Sequence, residues 1–271
     1  MEANCAISAF IVGSGSHFEQ RNQVTVALFN GGRCAVTDQP IGKPVPGFVP
    51  PRMPDAPHLL GRYARLELLD PAGHAADLFA ANAGADSNWT YLPYGPFATL
   101  QDYRVWLDAV AAQADPVFYA IKDIATDRWS GVASFLRITP QMGSIEVGHI
   151  NFAPPLQGRR AATEAMALMM GWAFDAGYRR YEWKCDALNL PSRRAAQRLG
   201  LSYEGVFRQA AIVKGRNRDT AWFAATDGDW PVLRAAYDRW LEPVNFDAQG
   251  VQKQRLSDLT ASVLVARDLA L

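Results

Sequence analysis

At 271 residues the chain suits one large domain with appendages, or two small ones, and is long enough to bury a full core. Lys+Arg and Asp+Glu balance at 27 each, so no global basic field exists to hold a nucleic acid or an anionic membrane surface. No apolar run approaches the ~18 residues of a membrane span, and the N-terminus lacks a basic region ahead of its first apolar stretch. Cys5, Cys34 and Cys185 are odd in number and unhelpfully spaced for a disulfide framework. His17, His58, His74 and His149 show no i, i+4 pairing or Cys partners, which argues against zinc. A cytoplasmic location is expected, with no nucleic-acid or membrane partner.

In chain order, residues 1–39 carry Gly13-Ser14-Gly15, the start of a dinucleotide fingerprint, but Phe18 stands where its third glycine belongs and no βαβ unit follows. Seven of the 17 prolines lie between Pro40 and Pro57, so residues 1–57 read as an N-terminal extension and a proline-rich arm. Residues 62–69 alternate as a strand, and Asp70-Pro71 starts a helix through Phe79. A second amphipathic helix spans 98–114, with Tyr103, Trp106, Leu107 and Val110 on one side. Strands follow at 117–122, 129–138 and 144–152. A helix then runs from near Arg159 to Gly177, a plausible C′ glycine. Tyr181, Trp183 and Cys185 alternate with charged neighbours as another strand, and a helix from about Pro191 stops at Gly200. Two last strands, about 202–213 and 218–226, flank a turn at Lys214-Gly215-Arg216-Asn217. Residues 230–271 form a C-terminal helix after Asp229-Trp230-Pro231 and a tail with a possible helix after Ser257. The order β-α-α-β-β-β-α-β-α-β-β predicts an α/β (α+β) domain over 58–229, its sheet mixed but mostly antiparallel, with helices on both faces.

The most informative segment is Gln157-Gly158-Arg159-Arg160-Ala161-Ala162-Thr163-Glu164-Ala165. A strand, a short loop of small and basic residues, and a helix start make an anion site. The first helical turn has free backbone N–H groups at the positive dipole end, and the arginines add charge.

With that order and that loop, the chain resembles the GNAT superfamily of N-acetyltransferases, in the branch of the RimJ/RimL-like ribosomal-protein N-terminal acetyltransferases. The family's acetyl-CoA loop reads Q/R-x-x-G-x-G/A. Gln157, Ala161 and Ala162 fall in place, while Arg160 stands at the usual central glycine. Thr163-Glu164-Ala165, Asn189-Leu190-Pro191-Ser192, Arg198-Leu199-Gly200-Leu201 and Tyr203-Glu204-Gly205-Val206 extend the match, which covers about residues 59–229. An arginine at position 160 can still present its backbone N–H if φ stays negative, and its guanidinium could reach a phosphate.

The resemblance implies acetyl-CoA as cofactor, held by Ile150, Asn151, Phe152 and the loop Gln157, Gly158, Arg159, Arg160, Ala161, Ala162, with Asn189 contacting it and Arg193 near its 3′-phosphate. Acetyl transfer needs a neutral amine, an oxyanion donor and a proton for the departing thiolate. Glu146 is the candidate base: it lies eleven residues before Gln157, the spacing of a base glutamate in the family's histone-modifying branch. A solvated or salt-bridged strand glutamate is the alternative. The tyrosine acid of many members would fall at Ala196 and the RimJ/RimL-like base at Ala211, so neither device is present. Ser192 resembles the branch's thiolate-protonating serine, or serves the helix start. His149 reads as a packed or hydrogen-bonded strand histidine. Tyr91 and Tyr94, in an irregular aromatic loop, are expected to line the acceptor cleft or to pack as a flap. Asp219 is expected in a salt bridge or at the substrate.

The expected activity is transfer of acetyl to a primary amine, on a protein N-terminus or a small molecule, by direct attack in a ternary complex of a monomer or homodimer. The alternative is a non-catalytic acyl-CoA-binding sensor of the same fold.

Overall fold

The computed structural model describes residues 40–271, so Gly13-Ser14-Gly15 and the extension expected over 1–39 lie outside the described residues. The elements are β1 (His58–Leu60), β2 (Ala64–Leu68), α1 (Pro71–Ala81), α2 (Leu100–Ala111), β3 (Val117–Asp123), β4 (Arg128–Thr139), β5 (Ser144–Phe152), α3 (Arg160–Asp175), β6 (Arg180–Asp186), α4 (Leu190–Arg198), β7 (Ser202–Val213), β8 (Arg216–Thr226), α5 (Trp230–Leu241) and α6 (Leu256–Thr260). A 3₁₀ turn at Asp86–Trp89 opens the loop between α1 and α2. The strand expected over 62–69 is β2, and a short strand not expected from the sequence, β1, precedes it across the turn at Gly61. The last hairpin is tighter than expected: Lys214 and Gly215, with φ of 49° and 72°, form the whole turn, and Arg216 and Asn217 belong to the strand.

Helix starts follow their capping residues. Asp70 accepts from the N–H groups of Ala72 and Gly73 ahead of α1, and Thr99 accepts from Asp102 N–H ahead of α2. The strands form one sheet in the order β1-β2-β3-β4-β5-β6-β8-β7. Every neighbouring pair is antiparallel except β5 and β6, which are parallel because α3 crosses between them. The mixed, mostly antiparallel sheet is therefore as expected.

Alternation along the strands sorts the core into two layers. Tyr119, Ile121, Phe135, Ile145, Val147, Tyr181, Trp183 and Phe223 pack with α3, α4 and α5. Phe118, Ala120 and Val132 point the other way, against α1 and α2. No helix among the described residues is long and apolar enough to cross a membrane.

Two features fix the start of α3. The Glu164 carboxylate accepts three backbone N–H groups, those of Arg62, Tyr63 and Ala64, at 2.9, 2.6 and 2.6 Å. Gly61 permits this approach, because a Cβ there would lie 2.3 Å from the Glu164 carboxyl carbon. The arm and the tail are tied down as well. Tyr119 and Tyr178 donate their hydroxyls to the carbonyls of Ala56 and Arg52, so residues 52–56 are bonded to the sheet and to the end of α3. In the tail, Thr260 donates to the Arg198 carbonyl, and Asp268 forms a buried bidentate pair with Arg193.

Candidate active site

The two parallel strands separate where the site forms. β5 and β6 are paired only from Ser144–Arg180 to Val147–Trp183, although β5 continues to Phe152 and β6 to Asp186. Beyond Val147 the edge of β5 that faces β6 has no ladder partner, which leaves a wedge whose two edges offer backbone donors and acceptors.

A bulge sits at the mouth of this wedge. Val132 faces Asn151 and Ser134 faces Gly148, so Ala133 alone opposes His149 and Ile150. His149 takes φ 51°, unusual for a side-chain-bearing residue in a strand, and the bulge re-aims the backbone of β5 beside the wedge. Tyr94 Oη lies 3.0 Å from His149 Nδ1. Burial, with Arg137 and Arg218 adding to it, pushes the imidazole down to about 4, while burial raises the Tyr94 hydroxyl. At neutral pH both groups are therefore uncharged, and a single hydroxyl–imidazole hydrogen bond joins them. The reading of His149 as a hydrogen-bonded strand histidine fits this geometry.

That pair carries a stability prediction. Because the folded-state value lies below the unfolded 6.5, folding excludes a proton that the unfolded chain binds. Stability should fall as pH drops from about 6.5 toward about 4, with uptake of about one proton on unfolding, and level off below. In His149→Asn, which tolerates the backbone angle, the fall in urea midpoint over that pH range should shrink, leaving the part carried by His74, also lowered by burial.

The wedge is roofed by the loop between α1 and α2. Tyr94 bonds to β5 through His149, and Tyr91 donates to the Leu188 carbonyl just past β6. Lys214 Nζ, from the β7–β8 turn, donates to the Trp89 carbonyl at 2.8 Å. Thus the aromatic loop touches β5, the segment just after β6, and the hairpin. Sequence reasoning singled out the two tyrosines but not Lys214, whose partner lies 125 residues away.

The segment after β5 carries the anion-site geometry. Gln157 Nε2 donates to the Phe152 carbonyl at 2.8 Å and to Asn88 Oδ1 at 3.0 Å, tying the loop to the end of β5 and to the 3₁₀ turn. Gly158 has φ 70°, a left-handed position. Arg159 occupies the N-cap with no side-chain cap bond, so the first turn of α3 keeps its N–H groups free. Arg160 is inside the helix, as a negative φ requires. Its guanidinium, however, lies over the rings of Tyr63 and Phe246 at 5.0 and 4.3 Å, where a cation–π sandwich engages it instead of the phosphate position expected for it. Asn151 at the end of β5 is buried, and its Nδ2 has no hydrogen-bond partner among the described residues.

At the start of α4, Asn189 is the N-cap: its Oδ1 accepts Ser192 N–H at 3.2 Å. Ser192 sits in the first turn, and its Oγ accepts from Trp183 Nε1 at 3.0 Å. With an acceptor role filled by the indole, the serine proton is available to donate. Cys185, beside it, is a buried thiol pushed up to about 11 by burial. Arg193 does not reach outward as expected. Its guanidinium is buried, bound to Asp268 and to the Ala187 carbonyl, so charge pairing with the tail takes the place of a phosphate contact.

Glu146 faces away from Ile145 and Val147, as alternation requires, and is 3% exposed. Arg137 Nη1 lies 2.8 Å from both carboxylate oxygens and Lys184 Nζ 2.9 Å from one. Burial holds this carboxyl above its ordinary range despite the two cations. Asp219 is in no salt bridge among the described residues. Its Oδ1 accepts Gln209 N–H and Asn217 Nδ2, bracing a bulge in β7.

The profile of the GNAT acetyltransferase domain matches residues 65–202. A GCN5-related N-acetyltransferase from Brucella melitensis is 44% identical, with a TM-score of 0.78, over 80% of this chain and 100% of that one. A GNAT-family acetyltransferase from Chromobacterium violaceum is 39% identical over 71% of this chain and 98% of that one, with a TM-score of 0.68. An acetyltransferase from Salmonella typhimurium that modifies the N-terminal serine of ribosomal protein L7/L12 shares the fold at 20% identity and a TM-score of 0.53, over 61% of this chain and 96% of that one. No curated protein matches the sequence. The chain belongs to the GNAT acetyltransferase family.

Proposed function

We propose that the chain transfers acetyl from acetyl-CoA to a primary amine by direct attack within a ternary complex. The single observation that carries this reading is the wedge between β5 and β6, which opens beside the uncapped first turn of α3. The first holds an extended amide-bearing arm by backbone hydrogen bonds, and the second holds a diphosphate. Ile150, Asn151, Phe152 and the segment from Gln157 to Ala162 take these roles, with the Asn151 amide as a further donor.

In the reaction the ammonium first loses one proton. The amine nitrogen then bonds to the thioester carbon, the oxyanion is held by a backbone N–H at the β5 bulge, and the C–S bond breaks. The second amine proton leaves and the CoA sulfur ends as a thiol, with Ser192 the donor nearest the role. Glu146 as base would have to take a proton at a buried carboxylate already bonded to two cations. Arg137, with a side chain 62% exposed, would have to swing away first. Loss of the first proton to solvent is the route the geometry carries further, and it suits an α-amine of pKa ~8 better than a lysine-like amine of ~10.4. That favours the branch's kind of acceptor, a protein N-terminus, together with small α-amines. Release of free thiol from acetyl-CoA across a panel of amines and peptide N-termini tests the proposal. CoA binding without turnover of any amine would favour the sensor reading instead.

Arg159→Asp separates structure from function at the phosphate position. Aspartate at the N-cap should stabilise the fold by about 1 kcal/mol, because it caps free N–H groups. The same carboxylate should weaken CoA binding about tenfold or more by occupying those donors and repelling phosphate. Thermal unfolding and calorimetric titration read the two effects, whose signs must be opposite.

A further inference from the structure

The face of β5, β6 and β8 that α3 and α4 do not cover carries an unbalanced charge. Arg137, Lys184 and Arg180 pair with Glu146, Glu182 and Glu204, three cations against three carboxylates in one linked network. Arg218 stands outside it. Register places Lys184 opposite Trp222, and alternation along β8 puts Arg218 on the same face as Trp222. Among the described residues Arg218 has neither an ion pair nor a hydrogen bond, and its Nε is shielded from solvent without an acceptor. Two carboxylates close to it in the sheet are engaged elsewhere: Asp186, opposite Thr220 on β6, accepts Leu188 N–H, and Asp219, next to Arg218 in β8, accepts Gln209 N–H.

Pairing of β6 with β5 stops at Trp183 and with β8 at Asp186–Thr220, so Arg218 stands beyond the end of β6, on the side where β5 and β6 have separated. The Arg218 charge bears on His149 of β5 and on Cys185 of β6, the two strands that diverge there. Trp222 Nε1, on the same face, is a second buried donor without an acceptor. A buried donor left unpaired is costly, more so when charged, and a ligand that supplies the acceptor removes that cost.

We propose that Arg218 binds an anionic group of the acceptor, so that the favoured substrates are primary amines bearing a carboxylate a few bonds from the nitrogen. This rests on the acetyl-transfer reading and narrows it. Polyamines and aminosugars lack the matching charge, whereas free α-amino acids and peptide N-termini followed by an acidic side chain supply it. The guanidinium fork also suits a carboxylate bidentately, which fixes the orientation of the amine toward the thioester.

Matched acceptor pairs test this by free-thiol release from acetyl-CoA. One arm compares an α-amino acid with its carboxamide; the other compares peptides with Asp or Asn at the second position. In at least one arm the anionic member should show kcat/KM higher by about tenfold or more, and the arm that does so identifies the source of the carboxylate. Arg218→Gln should collapse that ratio toward one through loss of the anionic member, and Arg218→Lys should restore part of it. Titration of Arg218→Gln with CoA shows that the variant is folded. Ratios near or below one in the wild type, or a ratio unchanged in Arg218→Gln, would overturn the inference while leaving acetyl transfer standing. If CoA binds and no amine of either arm is turned over, this inference falls; if no amine of the wider panel is turned over either, acetyl transfer falls with it.

Discussion

Replacing Glu164 by Ala should destabilise the fold by about 4 kcal/mol, among the larger single-site losses expected for a domain of this kind. The carboxylate is buried and is the acceptor for the N–H groups of Arg62, Tyr63 and Ala64. Removing it strands three backbone donors and leaves a gap against Gly61 that the turn cannot fill without losing its shape. The urea midpoint should fall by about 1–2 M with little change in m-value. Since the same contact seats the start of α3, CoA affinity should drop too, and saturating CoA should recover part of the lost stability by mass action. Glu164→Gln keeps one acceptor oxygen and should lose less. A loss under about 1 kcal/mol for the alanine variant would show that the turn satisfies its donors in another way.

Ser192→Ala should lower kcat about a hundredfold while leaving KM for acetyl-CoA within a few fold. That split follows from geometry. The serine hydroxyl accepts from Trp183 and has its proton to give, and the negative charge on sulfur that would take it develops only as the C–S bond breaks. The helix start survives, because Asn189, not Ser192, caps α4. An unchanged kcat with a raised KM would make Ser192 a binding residue only.

Much of the fold was legible because it rests on local rules. Two-residue alternation marks β2 and β6, helical spacing marks α2 and α3, and Asp70-Pro71 and Gly177 mark helix ends. The wedge was legible only through resemblance, since nothing in residues 144–152 signals that pairing with β6 stops at Val147. The bulge at His149 was hidden for the same kind of reason: positive φ at a non-glycine is imposed by register with β4, not by a local preference.

Misplaced side chains share a cause as well. Arg160 is engaged by Tyr63 and Phe246, from opposite ends of the domain, and Arg193 by Asp268, 75 residues later. An arginine near a phosphate loop looks free in sequence until distant aromatic rings and carboxylates are folded onto it. Arg218 is the converse, an arginine whose side chain has no partner among the described residues.

The most direct test is calorimetric titration of the purified, folded chain with CoA, alongside Arg159→Asp. One CoA bound per chain, with clearly weaker binding by the variant, is the result expected if the diverging strands and the uncapped start of α3 form the cofactor cradle. No measurable heat with the wild type, or equal affinity in the variant, would contradict it.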